Sequence, residues 1–191
     1  MSADEPIVIV SGLPRSGTSM MMQLLEAGGL PVLTDQIRGA DEDNPRGYYE
    51  FEPVKTVKVD PSWLDGAQGK VVKMVYRLLY DLPAGYQYSV VFMKRRLEEV
   101  IASQDEMLRR LGKGGGETDA TQLTAIYNRE LGQAEEWLSR QPNFSVLYVD
   151  YHDVLTDPER VVQDLNDFLG GALNTEAMLR VPDRSLHRQR A

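Results

Sequence analysis

The chain has 191 residues but no cysteine and only two histidines. The absence of cysteine excludes disulfide bonds and thiolate metal sites, and two histidines alone do not make a usual zinc site, so we expect no metal ion. No apolar run reaches membrane-spanning length, and residues 1–6 are too short and too polar for a signal peptide. The sequence therefore predicts a soluble globule with no membrane span, located by default in the cytoplasm.

Positive charge is also scarce, since 21 Lys and Arg residues stand against 29 Asp and Glu residues and give a net charge of −8. This balance disfavours broad nucleic-acid binding, so we expect no nucleic-acid partner. An anionic ligand must therefore be held by a local cluster of cations. The length favours one domain, residues 1–191, with a sizeable core.

One stretch near the N-terminus joins a strand, a tight loop and a helix. Residues 7–10 are four consecutive aliphatic residues, which predicts a buried strand, and a helix is predicted over 18–27 before Gly28-Gly29. Such a junction directs backbone N–H groups and the positive end of a helix dipole at one point, where an oxyanion is held. The alternative is a plain turn with a capping hydroxyl, but a plain turn needs neither two glycines at this spacing nor an arginine between them.

The loop itself has the glycine spacing of a P-loop. Gly12 and Gly17 allow the backbone to approach an anion closely, and Arg15 adds positive charge. Position 18, where a nucleotide-hydrolysing P-loop carries lysine, is Thr18, followed by the second hydroxyl of Ser19. A triphosphate needs that lysine and magnesium, whereas a singly charged sulfuryl group needs less neutralisation.

The run Pro14-Arg15-Ser16-Gly17-Thr18-Ser19 resembles the 5′-phosphosulfate loop of sulfotransferases that use 3′-phosphoadenosine 5′-phosphosulfate (PAPS). The resemblance implies that this loop binds the 5′-phosphosulfate through Arg15, Ser16, Gly17, Thr18 and Ser19. It also implies PAPS as cofactor and 3′-phosphoadenosine 5′-phosphate (PAP) as product.

A second anion signal follows the predicted strand 88–93, where Lys94-Arg95-Arg96 opens a predicted helix over 97–111. Ligands of open α/β sheets bind beyond the carboxyl ends of the strands, so Arg95 and Ser103 are expected to face the same crevice as Arg15. This segment is similar to the sulfotransferase 3′-phosphate motif, which implies that Arg95 pairs with that phosphate and Ser103 donates a hydroxyl. The alternative is a basic helix start with a surface serine.

A third segment begins at the predicted strand 144–149 and continues through Tyr151 into a helix that Asp157 is expected to cap, with Pro158 at its first position. It looks like the sulfotransferase segment whose tyrosine lies beside adenine, which implies that role for Tyr151. His152 replaces the acidic residue of the usual triplet. The alternative for Tyr151 is a half-buried packing aromatic.

The C-terminal tail departs from the family pattern because it contains no clear Gly-x-x-Gly-x-x-Lys segment. By region, Arg184 and Arg188 are the residues expected to complete the 3′-phosphate and adenine site. This expectation rests on their place in a basic tail and on no motif.

Catalytic residues are implied by resemblance as well. Lys73, on the predicted strand 71–76, resembles the family lysine at the leaving oxygen, where Arg15 is expected to assist it. Some branches of the family use a glutamate from an early loop as the general base, which favours Glu50 over Glu52. A solvated acidic loop is the alternative, and His152 and His187 remain outside candidates.

Strands alternating with helices predict a single α/β domain with a central, mostly parallel sheet flanked by helices on both faces, similar to P-loop NTPases. A long helix is predicted over 118–139, after a glycine-rich connector at 112–116. We expect a sulfotransferase that moves the sulfuryl group of PAPS to a hydroxyl or amine. The alternatives are a P-loop small-molecule kinase or phosphotransferase, and a non-catalytic PAP-binding module. The expected acceptor is a small molecule, a saccharide or a peptide.

Overall fold

The computed structural model describes residues 5–35, 47–110, 112 and 119–182. Its centre is one five-stranded sheet in the order β2-β3-β1-β4-β5, in which every neighbouring pair is parallel. The strands are β1 (Ile7–Gly12), β2 (Val32–Leu33), β3 (Val71–Lys73), β4 (Tyr88–Lys94) and β5 (Phe144–Asp150).

Helices connect and cover these strands. They are α1 (Thr18–Ala27), α2 (Leu97–Arg110), α3 (Ala120–Leu138), α4 (Tyr151–Thr156), α5 (Pro158–Phe168) and α6 (Thr175–Met178). The described residues between β2 and β4 form three 3₁₀ helices, at Glu52–Thr56, Ser62–Gly66 and Tyr76–Asp81. None of the helices in the described ranges is long and apolar enough to cross a membrane.

The central strands are apolar on both faces because both faces are covered. On β1, Ile7 and Ile9 enter a core that includes Leu138 of α3, whereas Val8 and Val10 enter a core formed with α1, α4, α5 and α6. The predicted fold class is therefore confirmed: the sheet is parallel and helices flank both of its faces.

The strand register brings four carboxyl ends to the same edge of the sheet. Gly12 of β1 lies opposite Met93 of β4, and Lys94 lies opposite Asp150 of β5. On the other side of β1, Lys73 lies opposite Val10. The segments that leave these strand ends carry most of the residues singled out in the sequence.

Some predicted boundaries are wrong. The strand expected over 71–76 ends at Lys73, and the chain enters a 3₁₀ helix at Tyr76 after the Met74 amide makes a last bond to the Val10 carbonyl, at 3.0 Å. The strand β2 was not predicted because two residues carry no periodic pattern. The helix expected from residue 118 begins at Ala120, where the Asp119 carboxylate accepts from the Thr121 amide at 2.9 Å.

The expected acidic cap of the helix after Asp157 is also wrong. The side chain of Asp157 makes no capping hydrogen bond to α5 and instead accepts from Arg160 Nε at 3.0 Å. Arg160 also pairs with Asp153 and Asp164, so it competes with the backbone for this carboxylate. The preceding short helix α4 was not predicted.

Candidate active site

The loop between β1 and α1 turns tightly against the end of β4. Gly12 has φ 142°, and a Cβ atom there would lie 2.6 Å from the Met93 carbonyl oxygen. Arg15 also adopts positive φ, at 70°. Glycine is therefore required at position 12 by both conformation and space.

Gly17 forms the entrance to α1. Its φ is 96°, and a Cβ atom there would lie 2.5 Å from Cδ2 of the Tyr151 ring. In the described part of the chain no side chain caps α1. The first amides of a helix have no partners within the helix, so this uncapped N-terminus is suited to an anion.

Ser16 is placed differently from its neighbours in the loop. Its side chain is buried, and its hydroxyl has no hydrogen-bond partner in the described structure. Its amide donates to the Leu13 carbonyl at 3.2 Å. Ser16 is thus buried within the loop, whereas Thr18 and Ser19 are half-buried at the helix entrance.

The two segments predicted to bind anions are in contact in the structure. Arg15 Nε donates to Ser103 Oγ at 2.9 Å, and Arg95 Nη1 donates to the Arg15 carbonyl at 3.1 Å. These contacts join the β1–α1 loop to α2, as the rule on strand ends predicts. The roles of the three side chains in binding remain predictions.

Arg95 has a partner that was not singled out in the sequence. Its Nε donates to Glu99 Oε2 at 2.8 Å, and the two side chains are only 9 % and 7 % exposed. The spacing of four residues at a helix start is the sequence signal that indicates this pair. The burial of this ion pair arises from tertiary packing, and no pattern in the sequence indicates it.

Tyr151, the first residue of α4, lies against both anion segments. Its ring is the one that contacts Gly17, and the Arg95 guanidinium lies 4.3 Å from the ring centroid. Burial raises the pKa of the Tyr151 hydroxyl, an effect that the nearby Arg95 charge opposes. The Tyr151 ring therefore forms a wall of the crevice. It is buried, whereas the alternative drawn from the sequence is a half-buried packing aromatic.

Lys73 approaches the loop from β3. Its Nζ donates to the Tyr48 carbonyl and lies 3.5 Å from Ser19 Oγ. Ser19 Oγ is itself 3.4 Å from the same carbonyl oxygen. The lysine thus lies beside the first turn of α1, close to the uncapped amides.

The two candidate bases have different surroundings. Glu50 is half-buried, and its carbonyl accepts from Thr34 Oγ1 at 3.0 Å and from the Asp35 amide at 3.1 Å. Glu52 is exposed and pairs with Lys55 at 2.5 Å. Glu50 is therefore the more buried of the two candidates.

The remaining candidates are three residues of the C-terminal tail and His152. Arg184, Arg188 and His187 lie outside the described residues. His152 is exposed, and its amide donates to the Asp150 carboxylate at 2.7 Å as part of the cap of α4. Across the described ranges, no cluster of three or more His, Asp or Glu residues is arranged to hold a metal ion.

Comparisons with known proteins identify the fold. The chain matches the mouse sulfotransferase SULT7A1 complexed with PAP with a TM-score of 0.58 and 17% identity, over 100% of this chain and 68% of the mouse chain. It matches the sulfotransferase STF1 from Mycobacterium tuberculosis H37Rv with a TM-score of 0.57 and 21% identity, over 93% of this chain and 71% of the other. At these identities the likeness shows a shared fold.

A family model adds a match in sequence. The sulfotransferase domain model matches residues 119–188, the part that contains β5, α4 and Tyr151. No curated protein sequence matches the chain. The family model and the shared fold together confirm the resemblance drawn from the sequence: residues 119–188 match the sulfotransferase domain model, and the chain has the parallel α/β fold of these sulfotransferases.

Proposed function

We propose that the protein is an enzyme that transfers a sulfuryl group from PAPS to a hydroxyl or amine acceptor. One observation carries the proposal: the uncapped N-terminus of α1 adjoins two arginines, Arg15 and Arg95, and the Arg95 guanidinium donates to the Arg15 carbonyl. In a chain with a net charge of −8, this is a local cluster of cations suited to a ligand with two anionic groups.

The chain's residues fit the two ends of PAPS. Loop residues 15–19 would hold the 5′-phosphosulfate, and Arg95 with Ser103 would hold the 3′-phosphate, beside the Tyr151 wall. Within the loop, Ser16 is assigned only a supporting part, because its hydroxyl is buried. PAP in the mouse relative is consistent with a nucleotide of this kind. The positive φ of Gly12 and Gly17 supports close approach of the backbone to an anion.

Three side chains are proposed for catalysis. PAPS supplies an activated sulfuryl group, and its transfer leaves negative charge on the nucleotide oxygen. Lys73 and Arg15 are proposed to stabilise that charge, as fixed cations do at other transferring groups. Glu50 is proposed to accept the proton that the acceptor hydroxyl or amine loses.

The acceptor is proposed only as a small molecule, saccharide or peptide with such a group. The cytoplasmic location expected from the composition stays a prediction. A kinase is disfavoured by Thr18 at the usual lysine position of a P-loop. The comparisons favour neither the kinase nor the non-catalytic module.

The first test is calorimetric titration with PAP and, separately, with magnesium ATP. We expect tight binding of PAP, weak binding of ATP, and loss of PAP binding in Arg95→Ala. Arg96→Ala removes an exposed cation next in the chain and is the matched control. Since Arg95→Ala removes the buried ion pair with Glu99, Ser103→Ala provides a second variant whose fold is less at risk.

Preference for magnesium ATP would overturn the sulfotransferase proposal in favour of a kinase. Tight binding of PAP without transfer to any acceptor in a broad panel would favour the non-catalytic module. Transfer from PAPS to one member of the panel would establish the reaction and identify the acceptor class.

A further inference from the structure

Glu99 carries a buried charge to which the proposed reaction gives no role. Its side chain is 7 % exposed, and its Oε2 lies 2.8 Å from Arg95 Nε. It lies in the first turn of α2, next to the exposed Glu98. A carboxylate this close to a proposed phosphate site weakens the attraction of the site for an anion, so its presence there requires a reason.

A gain in stability does not by itself explain the buried ion pair of Glu99 and Arg95. Removing two charges from water costs about as much as their attraction returns, and apolar residues of similar volume often do as well. The N-terminal turn of a helix does favour a carboxylate, but Glu98 already provides one there in contact with solvent. The pair is better explained by what it does to Arg95.

The Arg95 guanidinium is held from three elements. Glu99 of α2 accepts from Nε, the Arg15 carbonyl of the β1–α1 loop accepts from Nη1 at 3.1 Å, and the Tyr151 ring of α4 lies beneath it at 4.3 Å. Together these contacts fix the plane of the group and the direction of its remaining N–H bonds. A planar fork held in this way binds a phosphate oxygen without first losing side-chain freedom.

Glu99 and Ser103 are one helical turn apart, so they project from the same face of α2. Ser103 Oγ accepts from Arg15 Nε at 2.9 Å. The same face of the helix thus sets the position of both arginines.

We propose that Glu99 is a positioning residue for Arg95 and acts through the reach of its hydrogen bond, not through its charge. The proposal rests on the proposed function, because it concerns recognition of the 3′-phosphate of PAP. It predicts that preference for PAP over adenosine 5′-phosphate depends on the length of the side chain at position 99.

Two substitutions separate reach from charge. Glu99→Asp keeps the charge but is one methylene shorter, whereas Glu99→Gln keeps the reach and an accepting oxygen without the charge. Glu98→Gln, which removes an exposed charge from the same turn, is the control. The measurement is the ratio of the dissociation constants of adenosine 5′-phosphate and PAP, obtained by calorimetric competition on variants shown to be folded by thermal unfolding.

We expect the ratio to fall at least tenfold in Glu99→Asp and to stay at or above the wild-type value in Glu99→Gln and Glu98→Gln. Retention of the preference in Glu99→Asp, or its loss in Glu99→Gln, overturns the proposal. Failure of the wild-type protein to prefer PAP at all would instead overturn the proposed function, so the two failures are distinguishable.

Discussion

The proposed nucleotide side and the proposed acceptor side of the crevice are built in different ways. On the nucleotide side, the loop after β1, Arg95 after β4 and Tyr151 after β5 leave three neighbouring strands whose ends are in register. On the acceptor side only Lys73 lies on a strand. Glu50 lies on the segment between β2 and β3, of which residues 36–46 are outside the described structure.

This difference indicates where a substitution affects both nucleotide binding and folding. Nucleotide-side residues are packed between sheet and helices, so a substitution there affects the fold and the nucleotide together. The proposed acceptor-side residues Lys73 and Glu50 are half-buried, and hydrogen bonds run from Lys73 to the Tyr48 carbonyl and from Thr34 to the Glu50 carbonyl. A substitution there should change turnover while leaving the fold and the nucleotide affinity intact.

The largest effect is expected from Gly17→Ala. The added Cβ atom would lie 2.5 Å from the Tyr151 ring, and φ at this position is 96°. The positive φ costs about 1–3 kcal/mol, and the clash adds to this by displacing either the loop or the ring. We expect loss of both thermal stability and measurable PAP binding, checked by thermal unfolding and calorimetry.

Gly29→Ala is the matched control for this prediction. Gly29 has a similar φ of 99°, but nothing lies within 4 Å of the position a Cβ atom would take. This variant should lose stability only through the unfavourable positive φ, and it should retain PAP binding. Equal losses in the two variants would show that contact between Gly17 and Tyr151 has no special importance.

The next effect tests the acceptor side. Glu50→Gln removes the proposed base, so turnover should fall about 10²–10⁴-fold, while PAP affinity stays close to that of the wild type. The measurements are steady-state sulfuryl transfer and calorimetry on the same preparation. Glu52→Gln, at the exposed partner of Lys55, should lose little activity, and the opposite ranking of the two variants would transfer the base role to Glu52.

The contrast between the two sides also explains what the sequence could predict. The aliphatic run before Gly12 and the glycines around Arg15 are local signals, and the predicted helix over 18–27 has the bounds of α1. Parallel strands bring their carboxyl ends together whatever the loops do, so contact among Arg15, Arg95 and Ser103 follows from topology.

The burial of individual side chains could not be predicted from such local signals. The Glu99 carboxylate is typical of a solvated helix start in sequence, and only packing under the β1–α1 loop makes it a buried partner. Ser16 matches a binding motif, yet its hydroxyl is directed inwards. Asp157 satisfies the local rule for a cap, but Arg160 binds its carboxylate instead. Tertiary packing buries Glu99, whereas at Asp157 an ion pair three residues along the chain replaces the cap.

A smaller effect is expected where Tyr49 anchors the acceptor side to α1. Tyr49 adopts φ 53°, and its hydroxyl donates to Glu26 at 2.5 Å. Tyr49→Phe removes that bond but keeps the ring, so we expect the KM for the acceptor to rise roughly two- to tenfold, which corresponds to about 1 kcal/mol, with PAP affinity unchanged. Tyr86→Phe removes a similar bond, to Asp65, and is the control. A fall in PAP affinity in Tyr49→Phe would contradict the separation of the two sides.

The smallest effect concerns pH and the 3₁₀ helix that follows β3. Arg77 donates to both carboxylate oxygens of Glu130 on α3 at 2.7 Å, and this bond, assisted by the Tyr76 hydroxyl, holds the pKa of Glu130 below its usual value. Burial raises the pKa of Tyr76 to about 12, and like any tyrosine hydroxyl it is protonated across the acid range and continues to donate to Glu130. A depressed carboxyl pKa contributes stability that is present above the pKa of the unfolded chain and is lost as the pH falls through the folded value.

Wild type should therefore exceed Glu130→Gln in unfolding free energy at pH 7, by no more than about 1 kcal/mol because the pair is partly exposed, and the difference should shrink towards pH 3. Urea unfolding at the two pH values measures it, with Glu136→Gln as the control at an exposed glutamate of the same helix. A difference that is independent of pH would mean that the contact stabilises through packing and not through the ionised carboxylate. In either case PAP affinity at pH 7 should be the same in both variants, because the Arg77–Glu130 contact joins the segment after β3 to α3 and does not involve the loop after β1.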